Sequence, residues 1–169
     1  MICNYKMEVS KDIKIKAKIE GQRIFNNNQK RERPNYQKRD NELEIDILGA
    51  MGELAVCEIL ANKKRKYKRN KSELNHPVKE PDIIVESING NITIDVKTHS
   101  KHSKDWYINK KAFFDNSKDK SDFYWCIKFI TDTNIQYEIF TKHEVLEWKI
   151  RKSKYTDVLF MQYGNNLKK

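Results

Sequence analysis

The chain has 169 residues, about the size of one ordinary domain, and carries 34 Lys+Arg against 24 Asp+Glu for a net charge of +10. Only 38% of residues are hydrophobic and 34% are charged, yet the apolar ones cluster in segments, which argues for a folded core under a charged surface. No apolar stretch reaches the roughly 18 residues that span a bilayer, and the N-terminal "MICNYKMEVSKDIKIK" lacks the apolar centre of a signal peptide.

The basic balance favours a polyanionic partner, with nucleic acid as the default. Cys3, Cys57 and Cys126 are odd in number and lack metal-ligand spacing. Cys57 and Cys126 sit in apolar runs, where free cysteine behaves as a small hydrophobe. The expectation is a reducing, intracellular (cytoplasmic) setting and no membrane association.

In chain order, residues 11–30 predict a basic helix with Ile13, Ala17, Ile24 and Phe25 as a partial apolar stripe. "NNNQKRERPNYQKRD" breaks that pattern at Pro34. Residues 1–40 hold 11 Lys+Arg against 5 acids and form a candidate arm contacting a phosphate backbone; a solvated helix packed at the edge of the domain is the alternative. Residues 41–169 form the main domain.

Residues 42–62, "ELEIDILGAMGELAVCEILAN", predict a helix with apolar residues nearly all round, hence a buried one. Gly49 and Gly52 cost helix stability, about 1 kcal/mol each, and make sense where another backbone packs closely. Glu53 is the anomaly, an acid among residues that avoid water. "KKRKYKRNK" at 63–71 follows as a loop or strand edge, with Lys63, Lys64 and Arg65 as candidate phosphate contacts.

"PDIIVESINGNITIDVKTHS" reads as two strands, over 83–85 and 92–98, joined at Asn89-Gly90. A two-residue turn there would pair Ile88 with Asn91, and so Asp82 with Lys97 and Asp95 with Ile84. Asp82, Asp95 and Lys97 then share one face, with the two aspartates as diagonal neighbours roughly 7–8 Å apart at the backbone. A one-residue slip would separate them.

Downstream, Trp106–Ile108 is strand-like, and Asn109 caps a short helix over Lys110–Lys118. "DFYWCIKFI" (122–130) has the continuous apolar run of a central strand, and "IQYEIF" (135–140) alternates as its neighbour. Thr141-Lys142-His143-Glu144 is a capping box that opens a helix to about Arg151. "DVLFMQY" closes the chain as a last strand. The order predicts an α/β domain with a mixed sheet.

Two aspartates on one face make a hard oxygen site suited to Mg²⁺ or Mn²⁺. Such an ion lowers the pKa of water and holds a phosphate oxygen, and Lys97 adds a positive charge beside the phosphorus. Glu53 supplies a third carboxylate if its helix packs on this sheet.

Pro81-Asp82, then Asp95-Val96-Lys97, preceded by a helix holding Gly52-Glu53, resemble the PD-(D/E)XK nuclease superfamily over roughly residues 42–150. The resemblance implies a restriction-endonuclease-like three-layer core, with a central mixed sheet flanked by helices. It implies that Asp82 and Asp95 ligate the metal, with the Val96 backbone carbonyl and Glu53 as further ligands, and that Lys97 helps the nucleophile. Glu53 matches the acid that many members, Holliday-junction resolvases included, carry on the first core helix. The expected activity is metal-dependent phosphodiester hydrolysis, as an endodeoxyribonuclease. The alternatives are a non-cutting nucleic-acid-binding protein on this fold and an RNA-directed nuclease. Many enzymes of this fold are dimers, so a homodimer is open.

Lys101, Lys104, Lys110 and Lys111 are further candidate phosphate contacts, and His99 continues the face of Asp95 and Lys97 as an exposed strand-end histidine or a substrate contact. His99 and His102 form no convincing zinc pair. Thr98 points away from that face. Trp106, Tyr107 and Trp125 read as core, with Trp106 placed where it could also stack on a base.

Overall fold

The computed structural model describes residues 5–29, 41–70, 81–114, 121–152 and 159–164. Cys3, the break at Pro34, Lys71, the helix beyond residue 114 and the start of the last strand lie outside them.

The longest helix, α2 (Glu42–Asn62), follows the predicted bounds. Glu42 and Glu44 in its first turn complement the helix dipole. Ala50, Met51, Ala55, Val56, Cys57, Ile59 and Leu60 are all buried, because α2 lies between a sheet and α1 (Asp12–Gln29). Strand β1 (Tyr5–Glu8), which the sequence pattern does not announce, precedes α1. Val9, Ile13 and Ala17 join the same core as α2, so the described part of the N-terminal forty residues shares both sheet and core with the rest.

Among the described residues the large sheet has six strands, in the order β1-β7-β6-β4-β3-β2. Its members after β1 are β2 (Tyr67–Arg69), β3 (Ile83–Val85), β4 (Ile92–His99), β6 (Phe123–Phe129) and β7 (Asn134–Thr141). The β4–β6 pair is parallel and the other pairs are antiparallel. One face, with Ile83, Val85, Ile94, Val96, Trp125 and Ile127, packs on α1 and α2. The other, with Tyr124, Cys126 and Phe140, is covered by a small sheet of β5 (Trp106–Asn109), β9 (Leu159–Tyr163) and β8 (Lys149–Lys152), with α3 (Lys110–Phe114) and α4 (Lys142–Leu146). The protein is thus a mixed α/β domain whose central sheet is flanked by helices. No described helix is long and apolar enough to cross a membrane.

Two expectations are corrected. The Thr141–Glu144 capping box is present, but its helix stops at Leu146 instead of running to Arg151. Trp148 turns inward onto Phe140, at a centroid distance of 4.8 Å, and the chain leaves as β8 to pair with β9. Burying that indole is worth more than another exposed turn of helix. Gly49 meets no close neighbour, whereas a Cβ at Gly52 would clash with Thr98 Oγ1 of β4.

The closest helix approach is at Gly21 of α1, where a Cβ would come within 2.7 Å of the Ile47 Cα and 2.8 Å of its nitrogen. Backbone cannot yield as a side chain can, so Gly21→Ala is expected to cost about 1–3 kcal/mol. Thermal melting would show it as a loss of roughly 2–4 °C per kcal/mol.

Candidate metal and nucleic-acid site

The site begins with the β3–β4 register. Ile83 pairs with Ile94 and Val85 with Ile92, two residues away from the register expected of a tight Asn89-Gly90 turn. That turn would need a positive φ at both central residues. Gly90 has φ +110°, and among the described non-glycine residues only Lys64 is positive, so Asn89 is not left-handed. The chain turns over Ser87–Gly90 instead, with the Gly90 N–H donating to the Ser87 carbonyl at 3.2 Å. Because strand side chains alternate with period two, a two-residue shift leaves every residue on its own face. Asp82 then lies opposite Asp95 and no longer opposite Lys97, which brings the aspartates closer than predicted.

β3 starts only at Ile83, so among the described residues Val96 of β4 has no ladder partner on that side. The Asp82 carboxylate fills the gap, accepting from the Val96 N–H at 2.7 Å. In a strand the N–H and C=O of one residue point the same way, so the Val96 carbonyl is directed to the same side as Asp82. Asn70 holds the approach to Asp82: its side-chain amide donates to the Pro81 carbonyl at 2.7 Å and its N–H to the Asp82 carbonyl at 2.8 Å.

Asp95 alternates with Ile94 and Val96 and so projects from the face opposite α2. It is 7% exposed, and the Lys97 ammonium reaches its Oδ2 at 2.5 Å. The Asp82 carboxyl is held well above the ordinary range, first by burial, then by the Asp95 and Glu53 charges; Lys97 pulls the other way, and a hydrogen bond with the Asp95 carboxyl raises it further. A like charge beside a buried carboxyl disfavours its ionised form.

Glu53 comes from α2, on the other face, and its charge reaches both aspartates. Burial raises its carboxyl against the opposing pull of Arg69, whose Nε donates to Glu53 Oε2 at 2.9 Å. Arg69 also pairs with Glu20 of α1 at 2.9 Å. Among the described residues, four carboxylates (Glu20, Glu53, Asp82, Asp95) and two cations (Arg69, Lys97) make up this cluster. Among the described residues no three His, Cys, Asp or Glu side chains stand together as a ready metal-ligand set. The donor chemistry nonetheless fits a hard divalent ion: the carboxyls of Asp82 and Asp95, with a backbone carbonyl on the same side.

Glu20 and Arg69 are the site residues that sequence reasoning missed. Arg69 lay inside the basic run expected to face phosphates, where its two-residue spacing from the half-buried Tyr67 was the signal of an inward strand position.

His99 is not an exposed strand-end residue. It is 4% exposed, packs edge-on to Trp106 and Tyr107, and sets Nδ1 3.0 Å from the Lys97 carbonyl. Its Nε2 accepts from the Tyr107 N–H at 3.1 Å. The small sheet covers it, which removes His99 from the surface a polyanion could touch. Trp106 and Trp125 are buried, and Tyr107 is exposed. Lys63, Lys64, Arg65, Lys101, Lys104 and Lys111 are exposed on loops and helix ends, and Lys110 is half-buried. The chain matches no protein-family model and no curated protein.

Proposed function

We propose that the protein is a divalent-metal-dependent nuclease with a restriction-endonuclease-like core of the PD-(D/E)XK type, acting as an endodeoxyribonuclease. The observation that carries this reading is the acid cluster where β3 ends: the Asp82 carboxylate on the Val96 N–H, Lys97 on Asp95, and the Glu53 charge reaching both aspartates. The order of elements, a Glu-bearing buried helix, the hairpin, then a short helix and a central strand, supports it, as does the net charge of +10.

Asp82, Asp95 and the Val96 carbonyl would hold Mg²⁺ or Mn²⁺, with Glu53 beside them. Such an ion supplies Lewis-acid polarisation of the phosphoryl group and a more acidic water. The chain's own residues do the rest. Asp82 and Asp95 would hold such an ion as carboxylates, and Asp82, whose carboxyl is held above its ordinary range, would release its proton to solvent in doing so. Lys97, beside Asp95, would offer its ammonium to the charge that builds on phosphorus. The exposed lysines and Arg65 hold the sugar–phosphate backbone without reading its sequence.

A second reading, a nucleic-acid-binding protein that does not cut, draws on the Lys97–Asp95 and Arg69–Glu53 pairs, which already neutralise part of the cluster. Incubating supercoiled plasmid and RNA with the protein, with and without Mg²⁺, decides between them. Nicking of plasmid only with the metal, with RNA intact, is the expected result. In Lys97→Met, cleavage should fall by about 10²-fold or more while plasmid binding persists. Plasmid bound but uncut in both Mg²⁺ and Mn²⁺ favours the second reading, and RNA cut in its place redirects the substrate.

A further inference from the structure

Arg69 is the best-held side chain near the site, and the proposed chemistry gives it no task. Its side chain is 9% exposed and lies between acids from two different helices. Nη1 and Nη2 donate to Glu20 Oε2 and Oε1, each at 2.9 Å, the two-pronged geometry by which a guanidinium fixes a carboxylate. Its contacts with Glu53 all fall on one oxygen: Nε at 2.9 Å and Nη2 at 2.8 Å, both to Oε2. Glu20 belongs to α1, Arg69 to β2 and Glu53 to α2, so one planar group ties three elements at the edge of the acid cluster.

Stability is a weak reason for such a triad, because taking three charges out of water costs about as much as their attraction returns. Orientation is a better one. The guanidinium is flat, always charged and donates in fixed directions, and lysine can reproduce the charge but not the fork. We infer that Arg69 is a positioning residue. Locked by Glu20, it grips Glu53 by Oε2 and so sets how the other Glu53 oxygen is presented to a divalent cation held by Asp82 and Asp95. The N-terminal helix thereby takes part in the site through Glu20. This inference rests on the cation-dependent reading above.

Mn²⁺ binding to the full chain without nucleic acid, followed by electron paramagnetic resonance or calorimetry, tests it. Arg69→Lys is expected to weaken Mn²⁺ binding by about 10–100-fold, the range for groups that orient a ligand. Glu20→Gln, which loosens the outer end of the clamp and leaves Arg69 on Glu53, should weaken it several-fold less. In a Glu53→Gln background Arg69→Lys should add no further loss, since nothing is left to position. Binding as tight as the parent's in both Arg69→Lys and Glu20→Gln overturns the inference, as does an equal loss from Arg69→Lys with and without Glu53. If Arg69→Lys fails to fold, Glu20→Gln alone and combined with Glu53→Gln makes the same comparison. A parent chain that takes up no Mn²⁺ overturns the cation reading and this inference with it; a parent that binds beside unaffected variants overturns the inference alone.

Discussion

Asp82→Asn is expected to make the metal-free protein more stable and the Mg²⁺-supplied protein inactive. The asparagine keeps an oxygen for the Val96 N–H, so the capped gap at the start of β3 survives. What disappears is a carboxyl that burial and the Asp95 and Glu53 charges disfavour as an anion. Removing a carboxyl that its surroundings disfavour as an anion should stabilise the metal-free fold at neutral pH. For a chain of this size each kcal/mol gained is about 2–4 °C in Tm. The pH dependence gives the sign. Asp82 in the folded protein keeps its proton above the ordinary carboxylate pKa, so the folded state holds more protons than the unfolded one over that window. The parent therefore loses stability as pH rises through the raised Asp82 pKa, and the variant does not. Melting curves should coincide below pH ~3.8 and separate as pH rises, with the variant higher. Cleavage should fall by about 10³-fold, the rate equivalent of the several kcal/mol of charge stabilisation a metal supplies. A variant less stable than the parent at neutral pH, or one that still cuts, would remove Asp82 from the role given to it.

His99 should remain neutral at every pH at which most histidines charge. Burial, and after it the Lys128 and Lys97 charges, hold its pKa down, against the pull of the Tyr107 and Lys97 backbone contacts, to about 4. In the neutral tautomer protonated at Nδ1, Nδ1–H donates to the Lys97 carbonyl and Nε2 accepts from the Tyr107 N–H, with the Tyr107 carbonyl also 2.9 Å from Nε2. In the unfolded chain the ring titrates near 6.5, so between about pH 6.5 and 4 the unfolded state takes up the extra proton. The His99 contribution is therefore complete above pH 6.5 and is lost as pH falls toward 4. Lowering pH from 7 to 5 costs about 2 kcal/mol from this ring alone. Asp82 and Glu53, whose carboxyls are raised, slope the opposite way, so urea titrations in the Asp82→Asn variant display the histidine more clearly. The direct measurement is the ring chemical shift by NMR. A titration midpoint near 6.5 would mean that the small sheet does not seal His99.

The acid stability of this ring bears on the site because its Nδ1 contact is to the carbonyl of Lys97. A charged His99 would donate from Nε2 to the Tyr107 carbonyl, 2.9 Å away, so what opposes charging is the burial of the ring and the nearby Lys128 and Lys97 charges. The small sheet thus protects the strand that presents Asp95 and Lys97 by keeping one imidazole dry.

Local pattern was a good guide wherever one segment settles its own structure. The all-round apolar run of α2, the central strand β6, the Thr141–Glu144 capping box, the strand that follows Asp82 and the strand bearing Asp95 were legible, because period and turn chemistry act over a few residues. Even the face shared by Asp95 and Lys97 could be read, since alternation survives a register shift of two. The register itself could not. It depended on Asn89 avoiding a left-handed conformation, a choice made where the turn meets the rest of the sheet. The end of α4 was hidden for a like reason: Trp148 leaves the helix to cover Phe140, a residue eight positions earlier on another strand.

From its order of residues alone this chain determined a basic α/β domain, a buried helix carrying one misplaced acid, and two aspartates with a lysine on neighbouring strands. Only the tertiary structure decided that Asp82 would turn into the gap left by β3, that His99 would be sealed from water, and that Glu53 would be held by Arg69 and, through it, by Glu20. Each of these depends on groups distant in sequence meeting at one place. Charge and burial there are set by the packing of α1, α2 and both sheets, and no short window of sequence contains them.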